Sequence, residues 1–252
     1  MKSYLEAFLR EKPFFFAVIR PKEAAYYQPY KPFVRPILDF GCGDGFFSQL
    51  AFGKVEVGLD VDEKSLKEAQ WRHIYSQVVR YDGSKIPFPD NYFATIVCNS
   101  VLEHVPNLDY SLKEISRVLK KGGSVYFTAP TSYWPDYLLG KRVLGRRYQR
   151  YFIKKSRHFN LYHFLQWRRE LAKHGLQVTD NHYYLDSLWL MFLFDLSHYL
   201  SAFSLLSKRL LGRWVILPKK AVLFRPFYHL LLTEKKDRGK RGAYLFVAAT
   251  KP

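Results

Sequence analysis

One junction constrains this chain more than any other. The apolar run Pro36-Ile37-Leu38-Asp39-Phe40 passes without a break into Gly41-Cys42-Gly43-Asp44-Gly45. Alternate glycines permit left-handed backbone and leave room for a ligand to approach the main chain. Phe46 to Phe52 follows with helical character, so the loop opens into a helix whose first N–H groups face outward. A dinucleotide loop, G-x-G-x-x-G, needs a glycine at position 46, where Phe46 stands. Asp39 places a carboxylate beside the pocket, which repels a pyrophosphate and suits a ligand carrying an ammonium group.

The same rhythm continues downstream. Val55 to Asp60 reads as a second strand, Glu63 to Ser76 as a helix, and Val78 to Asp82 as a short third strand. Phe93 to Asn99 is an apolar fourth strand. Leu108 to Leu119 has helical spacing and stops at Lys120-Lys121-Gly122-Gly123, a basic last turn followed by glycine. Ser124 to Ala129 is a fifth strand, ended by Pro130. Strand alternating with helix implies a parallel sheet with helices on both faces and a ligand at the carboxyl ends of the strands. Further on, a helix spans about Phe164 to His174, Leu176 to Asn181 reads as a sixth strand, and Gly242 to Thr250 as a seventh.

The segment Ile37-Leu38-Asp39-Phe40-Gly41-Cys42-Gly43-Asp44-Gly45 resembles motif I of the class I S-adenosylmethionine-dependent methyltransferases, and Val57-Gly58-Leu59-Asp60 resembles their second motif. Ile86 to Phe93, Val101-Leu102-Glu103-His104-Val105 and Glu114 to Gly123 are similar to the methyltransferase type 11 group. The matches cover about residues 36–130 in the family's order. The resemblance implies a Rossmann-like seven-stranded sheet, parallel except for one antiparallel strand, with a helical insertion between the last two strands. It implies S-adenosyl-L-methionine as cofactor. Gly41 and Gly43, with Gly45 closing the loop, would give room to its methionine part, and Asp39 would organise the loop and its charged amino-acid end. Asp60 would accept from the ribose hydroxyls, Val61 would pack on the adenine, and Asp82 with the Gly83 backbone would meet the adenine amino group. Asn99 would border the site of transfer.

Transfer from a sulfonium needs mainly an aligned nucleophile and sometimes a base. His104 is the candidate base near the end of strand four; the plainer reading has it capping a helix start, with Glu103 facing water. The Asn/Asp-Pro-Pro-aromatic signature of DNA amino-methyltransferases is absent, since Asn99 is followed by Ser100-Val101-Leu102. Two cysteines, Cys42 and Cys98, make neither a disulfide framework nor a four-cysteine zinc site, and no metal site is expected.

Charge divides the chain. Of the 252 residues, 1–130 carry 17 basic and 15 acidic side chains, whereas 131–252 carry 23 and 7. Lys141 to Arg157 holds eight basic residues and no acid, with Tyr148, Tyr151 and Phe152 among them. Three parts are expected: a helical lead-in at 1–35 punctuated by proline, a methyltransferase core at 36–182 and 242–252, and a basic aromatic helical cap at 183–241. In the cap, Leu185, Leu188, Trp189, Phe192, Leu196, Tyr199, Leu200, Phe203 and Leu210 recur at helical spacing, while Asp195 opposes a spanning helix. A glutamate at position 6 and an apolar run of only Phe14 to Ile19 argue against a signal peptide, and no ordinary membrane span is expected. Such segments suit the surface of an anionic membrane or a lid buried on the core. The expectation is a cytoplasmic enzyme, peripheral at the membrane, that methylates an amphiphilic or anionic small-molecule or lipid-type acceptor by in-line displacement. An RNA methyltransferase, using the same cations for phosphates, is the alternative. A non-catalytic cofactor-binding scaffold is the other.

Overall fold

The structure is a computed structural model and describes residues 2–212, 226, 228–232 and 241–252. Trp214 to Leu217, Lys219-Lys220, Ala221 to Phe224 and residues 234–240, which the sequence marks as aromatic and basic, lie outside the described residues. The helices are α1 (Lys2–Glu11), α2 (Phe14–Tyr27), α3 (Phe46–Ala51), α4 (Glu63–Trp71), α5 (Leu108–Val118), α6 (Trp134–Tyr137), α7 (Leu139–Lys155), α8 (Phe164–Lys173), α9 (Leu188–Leu200), α10 (Ala202–Leu211) and α11 (Tyr228–Leu232). The strands are β1 (Ile37–Phe40), β2 (Val55–Asp60), β3 (Tyr75–Arg80), β4 (Phe93–Asn99), β5 (Leu119–Pro130), β6 (Gln177–Tyr184) and β7 (Tyr244–Thr250). Two compact units result: Tyr27–Ser132 with Ser156–His182 and Tyr244–Pro252, and Met1–Tyr26 with Tyr133–Lys155 and Tyr183–Ala243. Residues 133–155 thus group with the N-terminal helices and the 183–243 segment, whereas the sequence division places them in the core.

The first unit is built on the sheet, ordered β3-β2-β1-β4-β5-β7-β6. β1 pairs in parallel with β2 (Leu38 opposite Val57) and with β4 (Leu38 opposite Ile96). β7 runs antiparallel to β5, with Val247 opposite Phe127. This is the Rossmann-like methyltransferase fold. β1 is buried along its whole length and β4 along all but its last residue, as strands covered by helices on both faces are. Helix starts are capped by side chains: Asp62 accepts from Ser65 N, Asn107 from Tyr110 N, and His163 and Gln166 form a reciprocal capping box.

The type 11 segments at 86–93 and 114–123 prove to be one structural device. The Arg117 guanidinium donates to Glu114 and to the carbonyls of Ile86 and Phe88, while Glu114 Oε2 accepts from Ile86 N at 2.8 Å. The proline-rich turn before β4 is therefore pinned to α5.

Three boundaries depart from the sequence reading. α4 ends at Trp71 and β3 begins at Tyr75, because His73 adopts φ 53° and the Tyr75 ring fills the space over Gly58, where an added Cβ would lie 3.0 Å from it. β5 begins at Leu119, opposite Phe93, and a register shift between Phe93 and Thr95 absorbs the Lys120–Gly123 turn. Pro21, expected as linker punctuation, lies inside α2.

The second unit is helical. Glu23, fully buried, takes an ion pair from Arg20 at 2.5 Å and the hydroxyl of Tyr184 at 3.2 Å. α7 kinks at Gly145, whose φ of 65° and ψ of −150° leave the helical range. Gly140 is required where it stands, since a Cβ there would fall 2.2 Å from the Tyr148 ring. Asp195 of α9 is 1% exposed and accepts from Tyr148 OH at 2.8 Å and Gly140 N at 3.1 Å. Among the described residues, no helix is long and apolar enough to cross a membrane.

Candidate cofactor-binding and active site

The strand ends of the sheet unit bring separated residues together. Asp60 closes β2, and its two carboxylate oxygens accept from Gly43 N at 2.7 Å and Asp62 N at 2.9 Å. A carboxylate has about four acceptor positions, so each oxygen keeps capacity for a hydroxyl donor. Gly43 sits at φ +54° with open space where a Cβ would be, so the loop presents bare backbone on that side. Val61 follows Asp60 and is 62% exposed. After β3, Asp82 Oδ1 accepts from Ser84 N at 2.9 Å and from the Ser84 hydroxyl, and these bonds hold its carboxyl below the usual range. Gly83 beside it has φ +88°. Asn99 closes β4, and its Oδ1 accepts from the Thr128 hydroxyl at 2.9 Å.

Two further motif glycines are constrained by their packing and backbone. Gly41 has φ +79°, and a Cβ there would lie 2.3 Å from a Val101 methyl, so Val101 rather than open cleft occupies the space above it. Gly45 (φ +73°) is the left-handed residue that starts α3. Asp39 is 1% exposed; its Oδ2 accepts from Ser48 Oγ at 2.5 Å and Tyr75 OH at 2.6 Å. Burial pushes its carboxyl up to about 6, and the two hydroxyl donors oppose that rise. Asp39 therefore ties β1 to Ser48 of α3 and Tyr75 of β3. Sequence reasoning had no signal for Ser48 or Tyr75, since nothing in their local pattern marks them as partners of an acid in another element.

His104 lies on the 3-10 turn Leu102–His104 that follows β4. Its side chain is 45% exposed, and Nδ1 stands 3.2 Å from the Arg157 carbonyl oxygen. Its Nε2 lies 3.8 Å from the buried Glu103 Oε1. His158 packs beside it, ring centroids 4.9 Å apart; burial, with His104 next to it, pushes its pKa down to about 3, so it stays neutral. Glu103, expected to face water, is buried; its carbonyl accepts from Phe159 N and Asn160 N. Asn160 Nδ2 donates to the carbonyls of Leu102 and Val105 at 2.8 and 2.7 Å. The 157–160 segment thus fixes the turn that carries His104. Among the described residues, Glu103, His104 and His158 also place one ligand atom each within 4.8 Å of the others, a donor set a metal ion could use. A cavity of about 310 Å³ lies at the opposite ends of β4 and β5, among Tyr30, Phe33, Lys121 and Tyr126, away from these residues.

The arrangement fits S-adenosyl-L-methionine. Its ribose diol needs an acceptor with spare lone pairs, which Asp60 offers; its adenine needs an exposed apolar surface and a nearby acceptor, which Val61 and Asp82 offer; its amino-acid end needs uncovered backbone, which Gly43 offers.

A methyltransferase domain model of the type 11 group matches residues 38–127. The chain is 31% identical over 141 residues to a ubiquinone biosynthesis O-methyltransferase of Nitrosomonas europaea, covering 48% of this chain and 59% of that one. It is 34% identical over 102 residues to a malonyl-[acyl-carrier protein] O-methyltransferase of Legionella pneumophila, covering 37% and 36%. The matches thus span less than two thirds of these relatives' length. A methyltransferase of Thermotoga maritima, described as a possible histamine N-methyltransferase, shares the fold at a TM-score of 0.60 and 18% identity, over 94% of this chain and 93% of that one. Residues 38–127 thus match the methyltransferase domain of the type 11 group, and the fold is shared with a structure described as an S-adenosylmethionine-dependent methyltransferase.

Proposed function

We propose that the chain transfers a methyl group from S-adenosyl-L-methionine to an amphiphilic or anionic small-molecule or lipid-type acceptor, by in-line displacement. The observation that supports it is that Gly43, Asp60-Val61, Asp82 and Asn99, from four segments of the chain, follow or end neighbouring parallel strands, with Gly43 N bonded to Asp60. The bound cofactor would supply an electrophilic methyl on a good leaving group. Asp60 would take the ribose hydroxyls, Val61 the adenine face, Asp82 and the Gly83 backbone the adenine amino group, and the Gly43 backbone the methionine part. Asp39 keeps that loop in place through Ser48 and Tyr75.

The protein's remaining task is to align the acceptor and take its proton where there is one. Asn99 and His104, at and just beyond the end of β4, are the polar groups proposed to meet it. The acceptor class is supported by the acids' scarcity after residue 130 and by relatives named for O-methylation of a quinone precursor and of a carrier-bound malonyl group. The proposed place of action is the cytoplasmic face of a membrane, with the protein peripheral to it. RNA remains the second reading, favoured by the exposed cations of α7 with Tyr151 among them. Transfer of labelled methyl from the cofactor into fractionated extract decides: label in the lipid or small-molecule fraction is expected, label in RNA selects the second reading, and no label favours the scaffold.

A further inference from the structure

Helix α9 reads Leu-Trp-Leu-Met-Phe-Leu-Phe-Asp-Leu-Ser-His-Tyr-Leu, apolar around nearly its whole circumference. A helix of that kind belongs inside a core, with every face covered. Here one face is covered: Leu190, Met191, Phe194 and Asp195 are buried. The other is not. Trp189 is 56% exposed, Leu196 42% and Leu200 58%; on α10, Leu206, Leu210 and Leu211 are exposed as well. Positions 196, 199 and 200, and 206 and 210, sit three or four apart, so each set lies on one side of its helix. Isolated exposed leucines need no explanation; two successive helices that both present them do.

The single acid of α9 is turned away from this face, since the Asp195 carboxylate is held inside by Tyr148 OH and Gly140 N. The sequence reading has Asp195 oppose a spanning helix; its burial also leaves the exposed face of α9 without a negative charge. The cations adjoin that face. Lys155 Nζ stands 5.9 Å from the Tyr151 ring centroid on α7 and 5.8 Å from that of Tyr199 on α9, and both rings are exposed. α7 carries seven basic residues and no acid, with Val143 and Leu144 exposed among them.

We propose that the exposed faces of α7, α9 and α10 form one docking surface for an anionic lipid bilayer, with the leucines and Trp189 entering the acyl boundary and the α7 cations at headgroup level. Amphipathic insertion gains from apolar area and from attraction to anionic lipid together, which is the pairing present here. A second copy of the chain fits less well: a two-fold contact through this surface would bring one set of α7 cations toward the other. RNA phosphates would satisfy the cations and leave a leucine row with nothing to stack on it. The proposal extends the acceptor class given above, and flotation reads it independently of cofactor binding.

The test is flotation of the full chain with phosphatidylcholine vesicles, with and without about one third phosphatidylglycerol. Wild type is expected to float with the anionic vesicles and much less with the neutral ones. Leu200→Ser/Leu210→Ser and Arg146→Glu/Arg147→Glu are each expected to lower the floating fraction at least about tenfold, with circular dichroism and calorimetric cofactor binding unchanged. Wild type remaining unfloated with anionic vesicles overturns the proposal, as does either folded variant floating like wild type. A dimer in sedimentation that the leucine variant abolishes, without vesicle binding, assigns the face to a second copy and also overturns it. Salt-sensitive RNA binding without vesicle binding overturns it in favour of nucleic acid. Failure of flotation with intact cofactor binding leaves the methyltransferase reading standing, and the reverse result separates the two in the other direction.

Discussion

Gly41 and Gly43 sit two residues apart in one motif, both left-handed, and the structure assigns them opposite constraints. Gly41→Ala carries two costs. An alanine in left-handed backbone costs about 1–2 kcal/mol. Its Cβ would also fall 2.3 and 2.6 Å from the two Val101 methyls, and overpacking of this kind costs about 1–3 kcal/mol. The expected loss of stability is about 2–5 kcal/mol. Gly43→Ala has only the backbone cost, about 1–2 kcal/mol, because no atom lies within 4 Å of its Cβ. That open space is where the cofactor is proposed to lie, so Gly43→Ala is expected to weaken S-adenosylmethionine binding far more than it weakens the fold. Urea titration with and without Val101→Ala measures the first claim. Val101→Ala removes the methyl contacts and leaves its own Cβ at 2.9 Å, so it should return part of the loss, a coupling of about 1–3 kcal/mol. Calorimetry on folded Gly43→Ala measures the second. Additive effects of the Gly41 and Val101 changes, or wild-type cofactor affinity in Gly43→Ala, would refute the reasoning.

Stability should respond to acid through two buried groups of opposite sign. Between about pH 6.5 and 3, the unfolded chain protonates His158 and the native chain does not, so stability falls as pH falls through that window. Asp39, raised to about 6, binds its proton earlier in the native state and returns stability between pH 6 and the ordinary carboxyl value. Asp39→Asn should therefore lose stability more steeply on acidification than wild type in urea midpoints at pH 7, 5.5 and 4; equal slopes would remove Asp39 from the account. Asn160→Ala leaves the Leu102 and Val105 carbonyls without their amide donor, and denaturant unfolding should show a loss of about 2–4 kcal/mol. If His104 is the base, His104→Gln should lower turnover by about 10² or more and remove the acid limb of the rate profile, and normal turnover across pH would exclude it.

The sheet was legible because it rests on local signals. β2, β4 and β7 are largely apolar runs, and Asp60, Val61, Asp82 and Asn99 are proposed for binding because they end or follow strands, a property visible in sequence. What was hidden is what depends on partners. Asp39 could be named but not its donors, since Tyr75 is 36 residues away on a strand whose start was itself read three residues late. Glu103 reads as a surface acid until residues 157–160 close over its turn. Gly41 reads as room for a ligand until Val101 is seen to fill it. Asp195 reads as a charge interrupting a helix, and only the packing of α7 on α9 shows that it points inward.

Cofactor binding at the strand ends is the claim on which the rest depends, and isothermal titration with S-adenosyl-L-methionine tests it most directly. Wild type is expected to bind at one site per chain, and folded Asp60→Ala to lose most of that affinity, because the β2 carboxylate is proposed to meet the ribose and also holds Gly43 N. No binding by wild type, or equal binding by wild type and Asp60→Ala, would contradict the account.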